Sequence, residues 1–148
     1  MRISAKARYG IIAVLDIALH SEHGGGITAA EISERNNLSL KYIQQILAAL
    51  SQCGIISSNR GFGGGYKLGK PADSIFLSDI LMLFDSNFYR VNIKNEGSDS
   101  EIGYFLDKAL WEKFDCVIDD FTENVSVADI LADYESEAAG MFSVAANI

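Results

Sequence analysis

The strongest constraint on the fold lies between residues 28 and 68, where two capped helical segments precede a glycine-rich hairpin. Thr28 and Glu31 have capping-box spacing, in which a hydroxyl and a carboxylate each satisfy a backbone N–H at a helix start. The Asn-Asn pair at 36–37 favours a turn. Ser39 can then cap a second helix. The segment therefore predicts a short helix, a tight turn and another helix in close succession.

The second of these helices, predicted to end near residue 52, is amphipathic. One face is apolar with spacing i, i+3, i+4 and i+7, and it consists of Ile43, Ile46, Leu47 and Leu50. The opposite face consists of Lys41, Gln44, Gln45, Ala48 and Gln52. Because burial of the apolar face would hold the helix rigidly, the polar face is free to contact a ligand.

A hairpin follows, with short strands predicted at 55–58 and 66–68 and a tip at 59–65 that reads Asn-Arg-Gly-Phe-Gly-Gly-Gly. The glycines remove side-chain bulk, so the backbone and the Arg60 guanidinium can approach a ligand closely. A nucleotide-binding loop is excluded by spacing. The chain has no G-x-x-x-x-G-K-[ST], and Tyr66 stands at the last glycine position of a G-x-G-x-x-G.

This order of elements is that of a winged helix-turn-helix domain. Such a domain inserts its amphipathic helix into the major groove of DNA. Glutamines suit adenine edges, helix N-termini suit phosphates, and an arginine suits a narrow minor groove. The candidate DNA-binding residues are Arg2, Lys6, Thr28, Ser39, Lys41, Tyr42, Gln44, Gln45, Arg60, Gly61 and Gly63.

The charge distribution agrees with this prediction. The net charge is −8, yet residues 1–70 have eight basic and four acidic side chains and a balance of +4. Residues 71–148 have four basic and sixteen acidic side chains and a balance of −12. Such asymmetry indicates that the basic half meets a polyanion and the acidic half points away. The alternative is an uneven surface charge without function.

The rest of the chain is predicted to be helical. A first helix at 4–20 is apolar nearly all round, which hints at coverage by a second subunit. Ser78 is expected to cap a helix ending near residue 84, and the longest helix is predicted at 101–121. A last short helix is expected from residue 127 to about 134. The predicted fold is mostly α with a small β wing. It comprises a winged domain at 1–70, a helix and connector at 71–100, and a dimerisation helix and C-terminal helix at 101–148.

These motifs resemble the bacterial winged-helix regulators of the IscR/CymR type, the Rrf family. The resemblance spans nearly the whole chain. It is most specific in the wing and in the second helix of the helix-turn-helix, which is the recognition helix. The matching residues are Met1 to Gly10, Leu38, Ser39, Tyr42, Ile43, Gln45, Ile46, Leu47, Leu50, Gly54, Ile55, Ile56, Ser58, Arg60, Gly61, Gly64, Gly65, Tyr66, Leu68, Ile75, Leu77, Asp79, Ile80 and Val127 to Leu131.

The resemblance implies a homodimer that regulates transcription by binding a palindromic operator in double-stranded DNA. Repression is the leading hypothesis, although the sequence does not separate a repressor from an activator. A cytoplasmic location is expected because Asp16 and His20 interrupt the N-terminal apolar stretch and no small-residue cleavage site follows. The resemblance also implies that the long helix near Trp111 crosses to the partner subunit. Cluster-binding members of the family have three cysteines and a histidine in the connector, whereas residues 86–103 here contain neither residue type. An iron–sulfur cluster needs thiolate ligands. We therefore expect no cofactor and no metal, as in the cluster-free branch, where a protein partner or another signal controls DNA affinity.

Two alternatives remain open. The chain could be a protein-interaction module that has kept the fold and lost DNA binding, or a regulator in which Cys53 senses redox state. Burial is the expectation for Cys53 and for Cys116, and the His20/His23 pair is expected to interact with a helix end or solvent. No catalytic arrangement can be argued, so an enzyme is not expected, and no apolar run is long enough to span a membrane.

Overall fold

The computed structural model describes residues 3–21, 24–86 and 100–146. The fold is mostly helical with one two-stranded antiparallel sheet, which confirms the predicted fold class. The helices are α1 (Ala5–His20), α2 (Ala29–Asn36), α3 (Leu40–Gln52), α4 (Leu77–Phe84), α5 (Glu101–Leu106), α6 (Glu112–Asn124) and α7 (Val127–Ala146). The strands are β1 (Ile56–Asn59) and β2 (Gly65–Leu68), a 3₁₀ helix spans Ala72–Ser74, and a π-helical segment, Asp107–Trp111, joins α5 to α6.

The predicted caps at 28 and 39 are present and set the starts of α2 and α3. The Thr28 hydroxyl accepts from the Glu31 N–H at 3.2 Å, and the Thr28 N–H donates to the Glu31 carboxylate at 2.7 Å. Asn37, at φ 52°, turns the chain between the two helices. Ser39 Oγ then accepts from the Tyr42 N–H at 3.4 Å. These local bonds fix the helix-turn-helix geometry.

Helix α3 ends in a Schellman motif at Gly54, whose φ is +81°. The Gly54 N–H donates to the Ser51 carbonyl, and the Ile55 N–H donates to the Leu50 carbonyl, both at 3.1 Å. A side chain would be strained at that φ, so glycine allows the chain to leave the helix and enter the hairpin directly.

The core lies beneath α3 and supports its position. The whole predicted apolar stripe of α3 is at most 1% exposed, and it joins Val14 and Ile17 of α1, Ile32 of α2 and Ile56 of β1 in one cluster. Full burial of such an aliphatic side chain stabilises the fold by about 1.5–3 kcal/mol. Helix α3 is therefore clamped along one face.

The wing is anchored to the chain that precedes α2. Strands β1 and β2 pair from Ile56 with Leu68 to Asn59 with Gly65. Ile27 adds a bridge, because its N–H donates to the Tyr66 carbonyl at 2.9 Å and its carbonyl accepts from the Tyr66 N–H at 2.8 Å. The segment between α1 and α2 thus pairs with β2 at the edge of the wing.

Close backbone approach at Gly26 makes this anchor possible. A Cβ on Gly26 would lie 2.8 Å from backbone atoms of Gly65. We expect Gly26→Ala to lower the free energy of unfolding by about 1–3 kcal/mol, since overpacking must push the wing away. Urea unfolding followed by circular dichroism measures the change. Gly25→Ala is the matched control, because a Cβ there meets no heavy atom of the described residues within 4 Å beyond its chain neighbours. Equal unfolding midpoints for the two variants would contradict the anchor.

The C-terminal half corrects three predictions. Helix α4 begins at Leu77, because the Phe76 N–H donates to the Asp79 carboxylate at 2.9 Å, so Ser78 lies inside the helix and is not its cap. Helix α6 ends at Asn124 rather than 121. Helix α7 begins after Ser126 as predicted but continues to Ala146, well past residue 134.

A buried carboxylate connects α1 to α2. Asp16 is 6% exposed and accepts from Arg35 Nε at 3.1 Å and Nη2 at 2.6 Å, and from Asn36 Nδ2 at 2.9 Å. The bond to Asp16 raises the pKa of Arg35 above its ordinary value. His20 Nδ1 lies 2.8 Å from the Asp16 carbonyl oxygen, at the end of α1. Arg35, one of the eight basic residues of 1–70, therefore stabilises the fold.

Candidate nucleic-acid interface

The exposed face of α3 is the centre of the candidate interface. Lys41, Gln44 and Gln45 are all exposed, and they lie at i, i+3 and i+4 on the side opposite the buried stripe. The face therefore presents one cation and two amide groups, and each amide can donate and accept hydrogen bonds. The predicted polar face of the helix is present as a single surface.

Tyr42 has a different position from its neighbours on α3. Its ring is half-buried and packs edge-on against Tyr9 of α1, with centroids 5.5 Å apart and planes at 89°. The pair fixes the start of α3 against the first turns of α1. Lys6 is exposed and lies three residues before Tyr9, so it is brought near the start of α3. Arg2 lies outside the described residues.

The N-termini of α2 and α3 differ in their electrostatics. The Thr28 hydroxyl donates to the Glu31 carboxylate at 2.9 Å, and its backbone N–H donates to the same oxygen. The bonds from the Thr28 N–H and hydroxyl lower the pKa of Glu31 below its ordinary value, so the carboxylate stays ionised. An anion at the start of α2 disfavours a phosphate there. No acidic residue lies in the first turn of α3, so the Ser39 end is the better phosphate site.

The wing tip is a tight turn braced from the side. The Gly64 N–H donates to the Gly61 carbonyl at 2.8 Å, which closes a four-residue turn. Gly63 has φ +72° at its third position, as a type II turn requires. The Gly26 N–H donates to the Gly63 carbonyl at 3.3 Å. Arg60 is exposed at the start of this braced tip.

Sequence reasoning missed Phe62, the residue at the second position of that turn. Its side chain is 112% exposed relative to the reference state, more than any other large apolar side chain of the described residues. The available signal was a bulky aromatic residue among glycines at a hairpin tip. That signal was interpreted only as part of the glycine-rich loop.

The cysteines do not supply a cluster site. Cys53 follows the last residue of α3 and Cys116 lies in α6, and both are exposed, which corrects the expectation of burial. An iron–sulfur cluster normally takes four ligands, mostly thiolates, and the chain has two cysteines in all. Within 3–21, 24–86 and 100–146, no three His, Cys, Asp or Glu side chains are grouped to hold a metal ion. Two cysteines on separate elements are fewer thiolates than such a cluster normally takes.

A helix-turn-helix with an exposed polar recognition face, followed by a braced β-hairpin, defines the class of winged-helix DNA-binding transcriptional regulators. Comparison with known proteins gives the particular family. The Rrf2 family model, described as an iron-dependent transcriptional regulator, matches residues 3–133. The chain belongs to the Rrf2 family of transcriptional regulators, which are not enzymes.

Relatives and solved structures agree with this assignment. The chain is 36% identical over 135 residues to the HTH-type transcriptional regulator IscR of Erwinia tasmaniensis, covering 91% of this chain and 81% of that one. The structure of CymR (YrzC), the global cysteine regulator of B. subtilis, superposes with a TM-score of 0.78 at 28% identity, covering 90% of this chain and 98% of that one. T. potens IscR gives 0.74 at 29% identity, with 93% and 90% covered. No helix in the described part of the chain is long and apolar enough to cross a bilayer.

Proposed function

We propose that this chain is a cytoplasmic, homodimeric repressor that binds a palindromic operator without an iron–sulfur cluster. The observation that supports this most strongly is α3, whose buried stripe fixes it while its Lys41–Gln45 face stays exposed beside a braced wing. In this proposal α3 enters the major groove and Arg60 enters the neighbouring minor groove.

Each candidate residue that the structure describes has a role that follows from its position. Gln44 and Gln45 read base edges, since a carboxamide matches the donor and acceptor of adenine. Ser39, Lys41 and Lys6 contact phosphates around the start of α3. Gly61 and Gly63 let the wing backbone approach the duplex. Tyr42 acts mainly through Tyr9 by positioning α3, and Thr28 acts by capping α2. Arg2 lies outside the described residues and is proposed as a phosphate contact from its charge alone.

The homodimer is proposed from an exposed apolar stripe that runs from the π-helical segment into α6. Leu110, Phe114, Val117 and Phe121 are 47%, 45%, 69% and 60% exposed and follow one side of the helix. The adjacent side, which includes Thr122, is buried, and α6 packs against α4. A soluble protein rarely leaves such an apolar surface uncovered. A second copy of this helix matches it, because two-fold symmetry pairs the stripe with itself.

The absence of a cluster follows in this proposal from the donor chemistry. With no cysteine or histidine at 86–103, DNA affinity is controlled by a signal other than iron, and a regulatory protein partner is one such signal. Repression requires that the operator overlap a promoter. In vitro transcription from a template that holds the selected operator tests this point, and increased transcript on adding the protein would contradict repression.

The direct test starts from a random pool of duplexes about 30 base pairs long, roughly three turns of B-DNA. The full-length protein is expected to select a palindromic sequence and to bind it with a steep salt dependence, since phosphate contacts release counterions. Sequencing the enriched duplexes identifies the selected sequence, and fluorescence anisotropy measures the salt dependence of binding to it. Failure to enrich any sequence would contradict this proposal and would favour an interaction module without DNA binding.

Arg60→Ala is expected to weaken binding to the selected operator by about tenfold, because a charge-assisted contact is lost. The slope of log affinity against log salt should fall by about 1. Lys113→Ala is the matched control, since it removes an exposed cation from α6, outside the winged domain. An unchanged slope for Arg60→Ala would show that the wing does not contact a phosphate-rich groove.

A redox-responsive form of the same regulator is the second candidate, favoured by the exposure of Cys53 directly after α3. Oxidation there would place a polar group at the end of the recognition helix. In this case peroxide should weaken operator binding by the wild-type protein and leave binding by Cys53→Ser unchanged. Equal responses of the two proteins would eliminate Cys53 as the sensor.

A further inference from the structure

We propose that Phe62 is an apolar DNA contact, whose ring packs against deoxyriboses and a base step in the minor groove beside Arg60. This inference rests on the proposed function and extends it from ionic contacts to an aromatic one. It gives the wing a recognition role that depends on duplex shape and deformability as well as charge.

The Phe62 side chain is fully exposed. Phe62 is 112% exposed, whereas the wing residues Tyr66 and Leu68 are half-buried against the core. Leaving a whole phenyl ring in water forfeits the free energy that its burial would release. Phe62 therefore contributes no packing to the isolated subunit, and its apolar area is available for contact with a ligand.

The turn that contains Phe62 is held by hydrogen bonds. Phe62 occupies the second position of the turn closed by the Gly64-to-Gly61 hydrogen bond, and the Gly26 N–H holds the Gly63 carbonyl from the side. A Cβ on Gly64 would lie 2.5 Å from the Asn59 carbonyl oxygen, so the turn is compact. Because the backbone is already ordered, contact by the ring costs little conformational entropy.

The residues next to Phe62 have a chemistry that suits the minor groove. Arg60 and Phe62 flank Gly61, whose φ is +100° and which adds no side chain between them. An arginine is attracted to the negative potential of a narrow minor groove. Apolar side chains that accompany such cations act as wedges, which partly unstack a base step and kink the duplex. A cation and an exposed aromatic residue on one braced turn fit DNA better than an uncharged surface.

The test compares Phe62→Ala with Arg60→Ala on the operator selected by the wild-type protein. We expect Phe62→Ala to weaken binding by about tenfold, in the range for an aromatic ring stacked on one base. Its salt slope should match that of the wild type, because no charge is removed. Phe62→Leu should recover part of the loss, since an apolar wedge is retained. Met82→Ala is the control, because Met82 is an exposed apolar residue on α4.

A second readout reports on the DNA itself. With 2-aminopurine in the base step beneath the wing, the wild-type protein should increase fluorescence by unstacking, and Phe62→Ala should not. Equal affinity and equal fluorescence for the two proteins would overturn this inference and leave the proposed function intact. Failure of the wild type to select any duplex would instead overturn the proposed function. Because Phe62 is fully exposed, the Phe62→Ala variant should have the same urea unfolding midpoint as the wild type. A large shift in that midpoint would also contradict the inference.

Discussion

Phe121→Asp is expected to convert the protein to a monomer and to weaken operator binding by about 100-fold or more. The side chain is 60% exposed in the single subunit and lies on the apolar stripe proposed to pair with a second copy. In the dimer, two-fold symmetry would bury two such carboxylates, one from each subunit, in the same apolar interface. Burial of charges without a partner is strongly unfavourable. In a dimer, binding of one subunit raises the effective concentration of the other subunit at the second half-site, which increases the affinity roughly 10²–10⁴-fold. A monomer loses this gain.

Sedimentation velocity measures the oligomeric state of Phe121→Asp, and anisotropy with the selected duplex measures its affinity. Cys116→Asp is the matched control, because it adds the same charge to the same helix at an exposed position away from the stripe. That control should remain dimeric and bind normally. If Phe121→Asp remained dimeric with full affinity, the stripe would not be the dimer interface.

Arg35→Ala is expected to lower the free energy of unfolding by about 3 kcal/mol, because it leaves a buried carboxylate without its main partner. Asp16 is 6% exposed and receives two hydrogen bonds from the guanidinium. Asn36 alone cannot replace them. The loss should also loosen α2 relative to α1, and with it the base of the helix-turn-helix.

Urea unfolding followed by circular dichroism measures this loss. Glu34→Ala removes a neighbouring exposed charge from the same helix and should change stability by less than about 0.5 kcal/mol. The double variant Asp16→Ala, Arg35→Ala should cost less than the two single changes added together, since it leaves no uncompensated charge. Strict additivity, or a loss no larger than that of Glu34→Ala, would show that the pair contributes little.

The parts of the fold that were predicted correctly depend on local chemistry. The capping box of Thr28 with Glu31, the Ser39 cap and the stripe of α3 involve residues three to seven apart, so local spacing alone determines which groups meet. Gly54 similarly indicates its own helix end. Such signals place the recognition helix and the wing in the sequence without knowledge of the tertiary structure.

The parts that were missed depend on contacts between distant segments. The bridge from Ile27 to Tyr66 and the close approach of Gly26 to Gly65 involve residues about 39 apart in the chain. The sequence indicates Gly26 only as part of a helix stop. The pairing of Asp16 with Arg35 connects two helices and leaves no periodic signal. Local sequence reasoning cannot supply these pairings.

Errors in the C-terminal half have similar causes. Ser78 is a good capping residue, yet the Asp79 carboxylate reaches the Phe76 N–H and starts α4 earlier. Cys116 lies between two residues of the apolar stripe in the sequence, Phe114 and Val117, but both the stripe and Cys116 are exposed in the single subunit. Small residues after Glu137 give little amphipathic pattern, although alanine has a high helix propensity, so α7 extends further than predicted.

For the candidate site, the sequence identified the residue types and the structure added their support. The polar face of α3 and the arginine of the wing follow from pattern alone. The pattern does not predict the packing of Tyr42 on Tyr9, nor the hydrogen bond that the Thr28 hydroxyl donates to the Glu31 carboxylate. Both observations give a positioning contact to a residue that the sequence predicts as a DNA contact.

In the proposed complex, α3 and the wing contact adjacent grooves of one duplex. Iron-EDTA attached through Ala48→Cys on α3 or Ser58→Cys on β1, in a Cys53→Ser, Cys116→Ser background, cleaves DNA near each site. We predict cuts in the major groove from the first variant and in the next minor groove from the second, about half a helical turn away. Both patterns should repeat with two-fold symmetry. Localised cutting from one site with none from the other, or uniform cutting from both, would contradict the claim.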